Sequence, residues 1–182
     1  YTPFAIDITE FLTVGENDLC VRAEDHPDPI QPRGKQNWNS GLMGCWYTPT
    51  SGIWQTVYLE AVGDIYAEYI HVTPDIDRGV AQVEIMLNRI PAEEITLSCA
   101  VSLANKPVRK VTAPTCSRSA TVTIDLNTNE THQPVVLWTQ QKPALYDLRV
   151  QILTNDGCCD QVDTYFGMRK IEVRKGVIYL NN

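Results

Sequence analysis

The sequence predicts an all-β fold, and three observations carry the prediction. Apolar and polar residues alternate along most of the chain, so successive side chains would face opposite sides of a sheet. Clusters of Asn, Asp and Gly punctuate the alternating runs, and from Ala67 onward they recur at about the 8 to 12 residues expected of a sandwich. No window of a dozen residues keeps a 3.6-residue period, so no amphipathic helix is expected.

The elements follow in order. "TVGEND", Thr13 to Asp18, is a turn, because Asn, Asp and Gly tolerate the left-handed conformations of tight turns. "DLCVRAED" after it places Leu19, Val21 and Ala23 on one strand face. A Pro-rich, Gly-containing loop, Asp25 to Gly44, precedes "YTPTSGIWQTVYLE", Tyr47 to Glu60. There Gly52 lets the chain turn into a strand with Ile53, Val57 and Leu59 on one face and Trp54 and Tyr58 on the other. "PDIDRG", Pro74 to Gly79, is a turn before "GVAQVEIML", where Ala81, Val83, Ile85 and Leu87 alternate. "ITLSCAVSL" and "SATVTIDL" behave alike, with Ile95, Leu97, Cys99, Val101 and Leu103 in the first and Val122, Ile124 and Leu126 in the second. "LYDLRVQI" aligns Tyr146, Leu148, Val150 and Ile152 before the turn "TNDG", and "FGMRKIEV" closes the series. About seven strands between Asp64 and Val173 suffice for an immunoglobulin-like β-sandwich of roughly 100 residues. Residues 1 to 63 hold three or four strands, too few to close a sandwich or barrel, and are expected to be part of a second domain.

Composition narrows function by exclusion. A chain of 182 residues, 43% hydrophobic and 20% charged, is ordinary globular material. The longest apolar runs, such as "VVLW" at Val135 to Trp138, fall far short of the roughly 20 residues that span a bilayer. A formal net charge of -7 and a pI near 4.9 work against nucleic-acid binding, which depends on clustered Lys and Arg. The short basic patch "VRK", Val108 to Lys110, is expected to be a solvated strand or turn. No signal peptide opens the chain, yet it begins on Tyr rather than Met, as a cut-out segment would. Neither the N-terminus nor the cysteines fix a cellular location, cytoplasmic or exported.

Six cysteines contain no C-x-x-C pair, and the three histidines, His26, His71 and His132, are scattered, so no zinc site or cofactor is expected. Cys99 reads as a small core residue. Cys158 and Cys159 are adjacent, and the strained ring they would close argues against a bridge.

The adjacent carboxylates Glu93 and Glu94 are the nearest thing to a paired general acid and nucleophile, an arrangement that needs carboxyl groups about 5 to 5.5 Å apart. Neighbours on a strand point to opposite faces, and after Pro91 these residues are expected to decorate an exposed loop. The Asp25 to Gly44 loop is richer. Trp38 offers a flat face for sugar C–H groups, while Asp25, Arg33 and Gln36 offer carboxylate, guanidinium and amide partners for hydroxyls. The alternative for this loop is a solvated connection whose Trp38 plugs its own base. Trp54 and Tyr58 could form a stacking platform, but packing is the stronger expectation for both, and Trp138 is expected in the sandwich core. Arg169 is either a contact toward a neighbouring domain or an exposed strand arginine.

Five ordered motifs carry a resemblance over almost the whole chain: "FAIDITEFLTVGENDLCVRAED", "PRGKQNW", "YTPTSGIWQTVYLE", "PALYDLRVQILTNDG", and "DTYFGMRKIEV" with "IYLN". Together they resemble family 2 glycoside hydrolases, the group of β-galactosidases, β-glucuronidases and β-mannosidases. The resemblance implies a jelly-roll (galactose-binding-like) sugar-binding domain, then an immunoglobulin-like sandwich, then a TIM barrel carrying two catalytic glutamates. On that scheme residues 1–63 are the closing part of the jelly roll, 64–174 the sandwich, and 175–182 the start of the connection to the barrel. Most of the jelly roll and the whole barrel are missing from the sequence, so the segment itself is expected to be inactive and to hold no catalytic residue. Its implied partners are a carbohydrate substrate and the TIM-barrel domain of the same chain. The truncated jelly roll would leave open sheet edges that pair with other chains, so a homo-oligomer is expected. By position Asp25 matches an aspartate that reaches over to the barrel and lines the sugar pocket, with Gln36 and Trp38 near later residues of the same loop. The rival from another class is a free-standing β-sandwich carbohydrate-binding or adhesion module.

Overall fold

A computed structural model describes residues 2–39, 44–127 and 134–182. The chain divides into two compact units, Tyr1–Leu59 and Glu60–Asn182.

The described residues of the second unit form nine strands: β1 (Ala67–Asp75), β2 (Val80–Leu87), β3 (Ile95–Leu103), β4 (Lys106–Thr115), β5 (Ser119–Asp125), β6 (Tyr146–Thr154), β7 (Gly157–Phe166), β8 (Ile171–Arg174) and β9 (Val177–Leu180). The first seven make an antiparallel sandwich with strand order β1-β2-β5 in one sheet and β4-β3-β6-β7 in the other. β4 adjoins β5 at one open side and β1 adjoins β7 at the other. This is the all-β, immunoglobulin-like architecture expected from the alternation, and β2, β3, β5 and β6 fall on the runs that predicted them.

The alternation works because one face of each strand leaves water. Ala81, Val83, Ile85 and Leu87 of β2, with Val122 and Ile124 of β5, pack against Leu97, Cys99 and Val101 of β3 and Leu148, Val150 and Ile152 of β6. Cys99 is fully buried, and desolvation pushes its thiol up to about 11, so it stays protonated as a core residue. All six cysteines are free.

At the entry to β6 the buried Tyr146 stacks on Phe166 at 5.4 Å, and its hydroxyl accepts a 2.8 Å hydrogen bond from the Val136 backbone N–H. A tyrosine fixed to upstream backbone at this corner is a hallmark of immunoglobulin-like sandwiches. The Val135–Trp138 run, apolar enough to be a strand, instead lies against the core as irregular backbone tied to Met168 O through Trp138 N. Trp138 is accordingly half-buried at the rim rather than in the core, and Gly167 fits against it, where an added Cβ would come within 3.3 Å.

The first unit is built differently from expectation. Its described residues form a single 3-10 turn, Thr9–Phe11, and an isolated bridge between Gln36 and Tyr47. The runs around Leu19 to Ala23 and Ile53 to Leu59 carry the alternating pattern but form no ladder. A strand is stabilised by the neighbours that take its N–H and C=O groups, and the described residues of the unit supply none for these runs. Trp54 and Tyr58, expected to pack, are therefore 71% and 73% exposed. The predicted turn at Thr13 to Asp18 is present: Asn17 accepts from Thr13 N at 2.9 Å and donates to Thr13 O at 2.9 Å, with Gly15 at φ 111°.

Candidate functional site

The candidate site is the segment from Asp25 to Ser51 in the first unit; its residues 40–43, like His132 elsewhere, lie outside the described residues. Two stretches far apart in sequence are clipped together. Tyr47 N donates to Lys35 O at 2.8 Å, Asn37 N to Tyr47 O at 2.9 Å, and Thr50 N to the Gln36 side-chain carbonyl at 2.8 Å. Gln36 thus holds the loop's base with its oxygen, leaving its amide nitrogen as the end able to donate to a ligand.

Asp25 is held at both carboxylate oxygens. Arg33 donates through Nη1 to Oδ1 at 3.1 Å, and the Ser51 hydroxyl donates to Oδ2 at 2.9 Å. The same Arg33 nitrogen bonds the His26 carbonyl, so the guanidinium fixes the backbone after Asp25 and the carboxylate at once. The Arg33 side chain is only 8% exposed while that of Asp25 is 27% exposed. A buried cation behind a partly exposed carboxylate fixes the orientation of the acid through a charge-assisted hydrogen bond.

Trp38 packs edge-on against Trp46, with centroids 4.9 Å apart and planes at 74°. The ring is half-buried. Of the four predicted residues, Asp25 and Arg33 touch directly, Gln36 is tied to the same Thr50–Ser51 corner, and Trp38 belongs to the aromatic pair at the loop's base. Ser51, Thr50 and Trp46 were not anticipated. The density of hydroxyls in "YTPTSG" is the signal the sequence offers for them.

The other candidates resolve plainly. Glu93 and Glu94 sit in an exposed turn before β3, where Glu93 accepts from Asn155 at 3.1 Å. Arg169 stacks its guanidinium over Trp138 at 5.1 Å. "VRK" lies within β4. Among the described residues no group of three or more His, Cys, Asp or Glu side chains could hold a metal ion, and no helix is long and apolar enough to cross a membrane.

A model of the family described as glycosyl hydrolases family 2 matches residues 65–169, more than half of the chain. The chain belongs to that family. Over 193 residues it is 25% identical to a β-galactosidase of Halalkalibacterium halodurans, covering 100% of this chain and 17% of that protein. It is 27% identical over 183 residues to a β-galactosidase of Clostridium acetobutylicum, covering 99% and 19%. The crystal structure of a β-glycosidase from Bacteroides vulgatus superposes with a TM-score of 0.59 at 21% identity, over 76% of this chain and 18% of that one, a likeness in fold. This family 2 chain therefore spans about a fifth of the length of the relatives it matches.

Proposed function

We propose that the chain is the non-catalytic part of a glycosidase that hydrolyses a terminal β-galactoside- or β-glucuronide-type bond. In this reading residues 1–63 are the closing part of a sugar-binding jelly roll, 64–174 the sandwich that holds it against a TIM-barrel domain, and 175–182 the start of the connection to that barrel. Asp25 reaches one wall of the sugar pocket, where its carboxylate accepts hydrogen bonds from sugar hydroxyls. Arg33 and Ser51 position it; Gln36 and Trp38 shape the loop behind it. Hydrolysis itself belongs to a carboxylate pair supplied by the barrel, working through a glycosyl-enzyme intermediate.

The observation that supports this reading is the Asp25 carboxylate clamped by Arg33 and Ser51 on an otherwise exposed loop. Orienting an exposed acid from two sides restricts it to one geometry, which is useful to a ligand and unnecessary for a solvated connection.

The test uses the full-length polypeptide and this 182-residue chain side by side. Nitrophenyl β-galactoside and β-glucuronide should be turned over by the former and not by the latter. In the full-length protein Asp25→Ala should raise KM by roughly 100-fold through loss of a charge-assisted contact, and Ser51→Ala by about 10-fold through looser positioning. Turnover by the 182-residue chain that disappears in Glu93→Gln or Glu94→Gln would overturn the proposal. Sugar binding by a full-length protein that hydrolyses nothing would favour a carbohydrate-binding module instead.

A further inference from the structure

At one open side of the sandwich the edge strands β1 and β7 run beside each other. They are tied at one end, where Ala67 N donates to the Asp160 carboxylate at 2.9 Å and the Cys159 thiol donates to Ile65 O at 3.4 Å. Further along, between residues 70–74 and 164–169, a cleft of about 380 Å³ opens. Strand alternation makes its floor. Ile70 and Val72 stand opposite the buried Ile85 and Val83, and Phe166 stands opposite the buried Tyr146. These three side chains therefore face the gap between the sheets and line the cleft with apolar surface.

Polar groups surround that floor. His71, which alternation turns to the outer face of β1, lines the cleft and stacks on Tyr69, with centroids 6.1 Å apart and planes at 9°. Thr164 and Tyr165 bring hydroxyls from β7, and Tyr165 is 66% exposed. Arg169 completes the lining. Its guanidinium lies over the Trp138 ring at 5.1 Å, and among the described residues it meets no carboxylate. Other arginines of the same unit do: Arg89, Arg118, Arg149 and Arg174 each reach an Asp or Glu. A guanidinium stacked on a ring uses its flat face there and leaves its in-plane N–H donors for another partner. None of the described residues lining the cleft is acidic, in a chain whose net charge is -7.

We propose that this cleft binds a hexuronate, a pyranose that carries a carboxylate. The carboxylate takes the Arg169 fork, the ring lies on the Ile70, Val72 and Phe166 floor beside His71, and the hydroxyls reach Thr164 and Tyr165. The one permanent cation in the lining matches the single charge of a carboxylate, whereas a phosphate dianion would leave one charge uncompensated. A neutral sugar would leave the guanidinium unpaired, and a simple anion would leave the apolar floor bare. The volume lies at the small end of ligand pockets, a size for one sugar ring rather than a chain. Binding here requires no hydrolysis, so it stands or falls independently of the proposed function.

Nuclear magnetic resonance titrations of the isotope-labelled 182-residue chain with sodium glucuronate, glucose and sodium acetate, at constant ionic strength, test this. Glucuronate should give saturable shifts at the amides of residues 70–73 and 164–169. Glucose, which lacks the carboxylate, and acetate, which lacks the ring, should each bind at least roughly 10-fold more weakly. Arg169→Gln should weaken glucuronate binding at least about 10-fold and leave the response to glucose unchanged, because it removes only the charge-assisted bonds. Arg169→Lys, which keeps the charge and loses the fork, should fall between the two. Tyr165→Phe, at an exposed ring, should leave the melting temperature unchanged and weaken glucuronate about 3-fold. Equal affinity for acetate would reduce the site to a simple anion contact and overturn the proposal. The absence of saturable shifts at these residues would overturn it too, as would glucuronate binding that Arg169→Gln leaves intact.

Discussion

Two buried hydroxyls in the sandwich show how a single residue's worth depends on its partner. Tyr146 is almost fully buried and its oxygen takes the Val136 N–H. Burial holds its phenol above the ordinary value, and the Val136 hydrogen bond pulls partly the other way. Ser98 is also fully buried, on β3, but its hydroxyl has no partner among the described residues. Removing a partnered hydroxyl strands the other group, whereas removing an unpartnered one relieves a desolvation cost. Tyr146→Phe should therefore destabilise by about 1–2 kcal/mol, and Ser98→Ala should be neutral or stabilise by up to about 1 kcal/mol. Urea unfolding with an unchanged slope reads both, and a destabilising Ser98→Ala would mean the hydroxyl is satisfied after all. The sequence placed Tyr146 on the inward face by alternation alone; its corner bond was not legible because the partner is a backbone group ten residues away. Asp25 was legible by resemblance and residue chemistry, while its holder Ser51 was not, because a serine 26 positions along carries no local signal.

Among the elements, alternation found the central strands and the edge strand β5, and missed the other edges, β1, β4 and β7. β2, β3 and β6 each pair on both sides and bury one face, which is the pattern that alternation detects. β4 contains Pro107 and Pro114, residues that argue against a central strand but are tolerated at an edge, where one side of the backbone needs no ladder partner. The hairpin joining β3 to β4 also hides itself: its turn residues Ala104 and Asn105 sit at φ 50° and 62° without a glycine to announce them. In the first unit the reverse happened, with alternation present and no neighbour strand to pair with. The turns yield a paired prediction. Alanine is strained at positive φ, so Ala104→Gly should stabilise by about 0.5–1 kcal/mol. Gly79, at φ 67° in the β1–β2 turn, has Asn127 side-chain atoms 2.4 Å from where a Cβ would stand, so Gly79→Ala should destabilise by about 1–3 kcal/mol. Opposite shifts in thermal midpoint are expected from the two substitutions, and a gain from Gly79→Ala would show that the turn can relax.

Across the whole molecule, charge sets how stability varies with pH. Asp77, Asp163 and Glu172 are held below their ordinary values of 3.8, 3.8 and 4.5, chiefly by side-chain hydrogen bonds from Lys170, Arg149 and Arg174 respectively. A carboxylate depressed on folding contributes stability that is complete above its unfolded value and is lost as pH falls through the folded one. The cationic partners Lys170 and Arg149 are raised above their ordinary values, chiefly by side-chain hydrogen bonds to Asp77 and Asp163, so their share is complete below those ordinary values and lost only at high pH. The net charge of -7 acts in the opposite sense on the acid side, because approaching the pI near 4.9 relieves self-repulsion. The sum is a plateau between about pH 5 and 9, then a fall below about pH 4 once the paired carboxylates protonate. All three pairs are solvent-facing, so the acid-side fall should be shallow and shallower still in 1 M salt, where the Debye length is about 3 Å. Melting temperature measured from pH 7 down to pH 2 should show this. The Asp77→Asn/Asp163→Asn double variant should flatten the fall while leaving the plateau's pH range in place. An acid-side fall that the double variant leaves unchanged would mean that self-repulsion, which returns as positive charge accumulates below the pI near 4.9, and not these pairs, governs the molecule's response to acid.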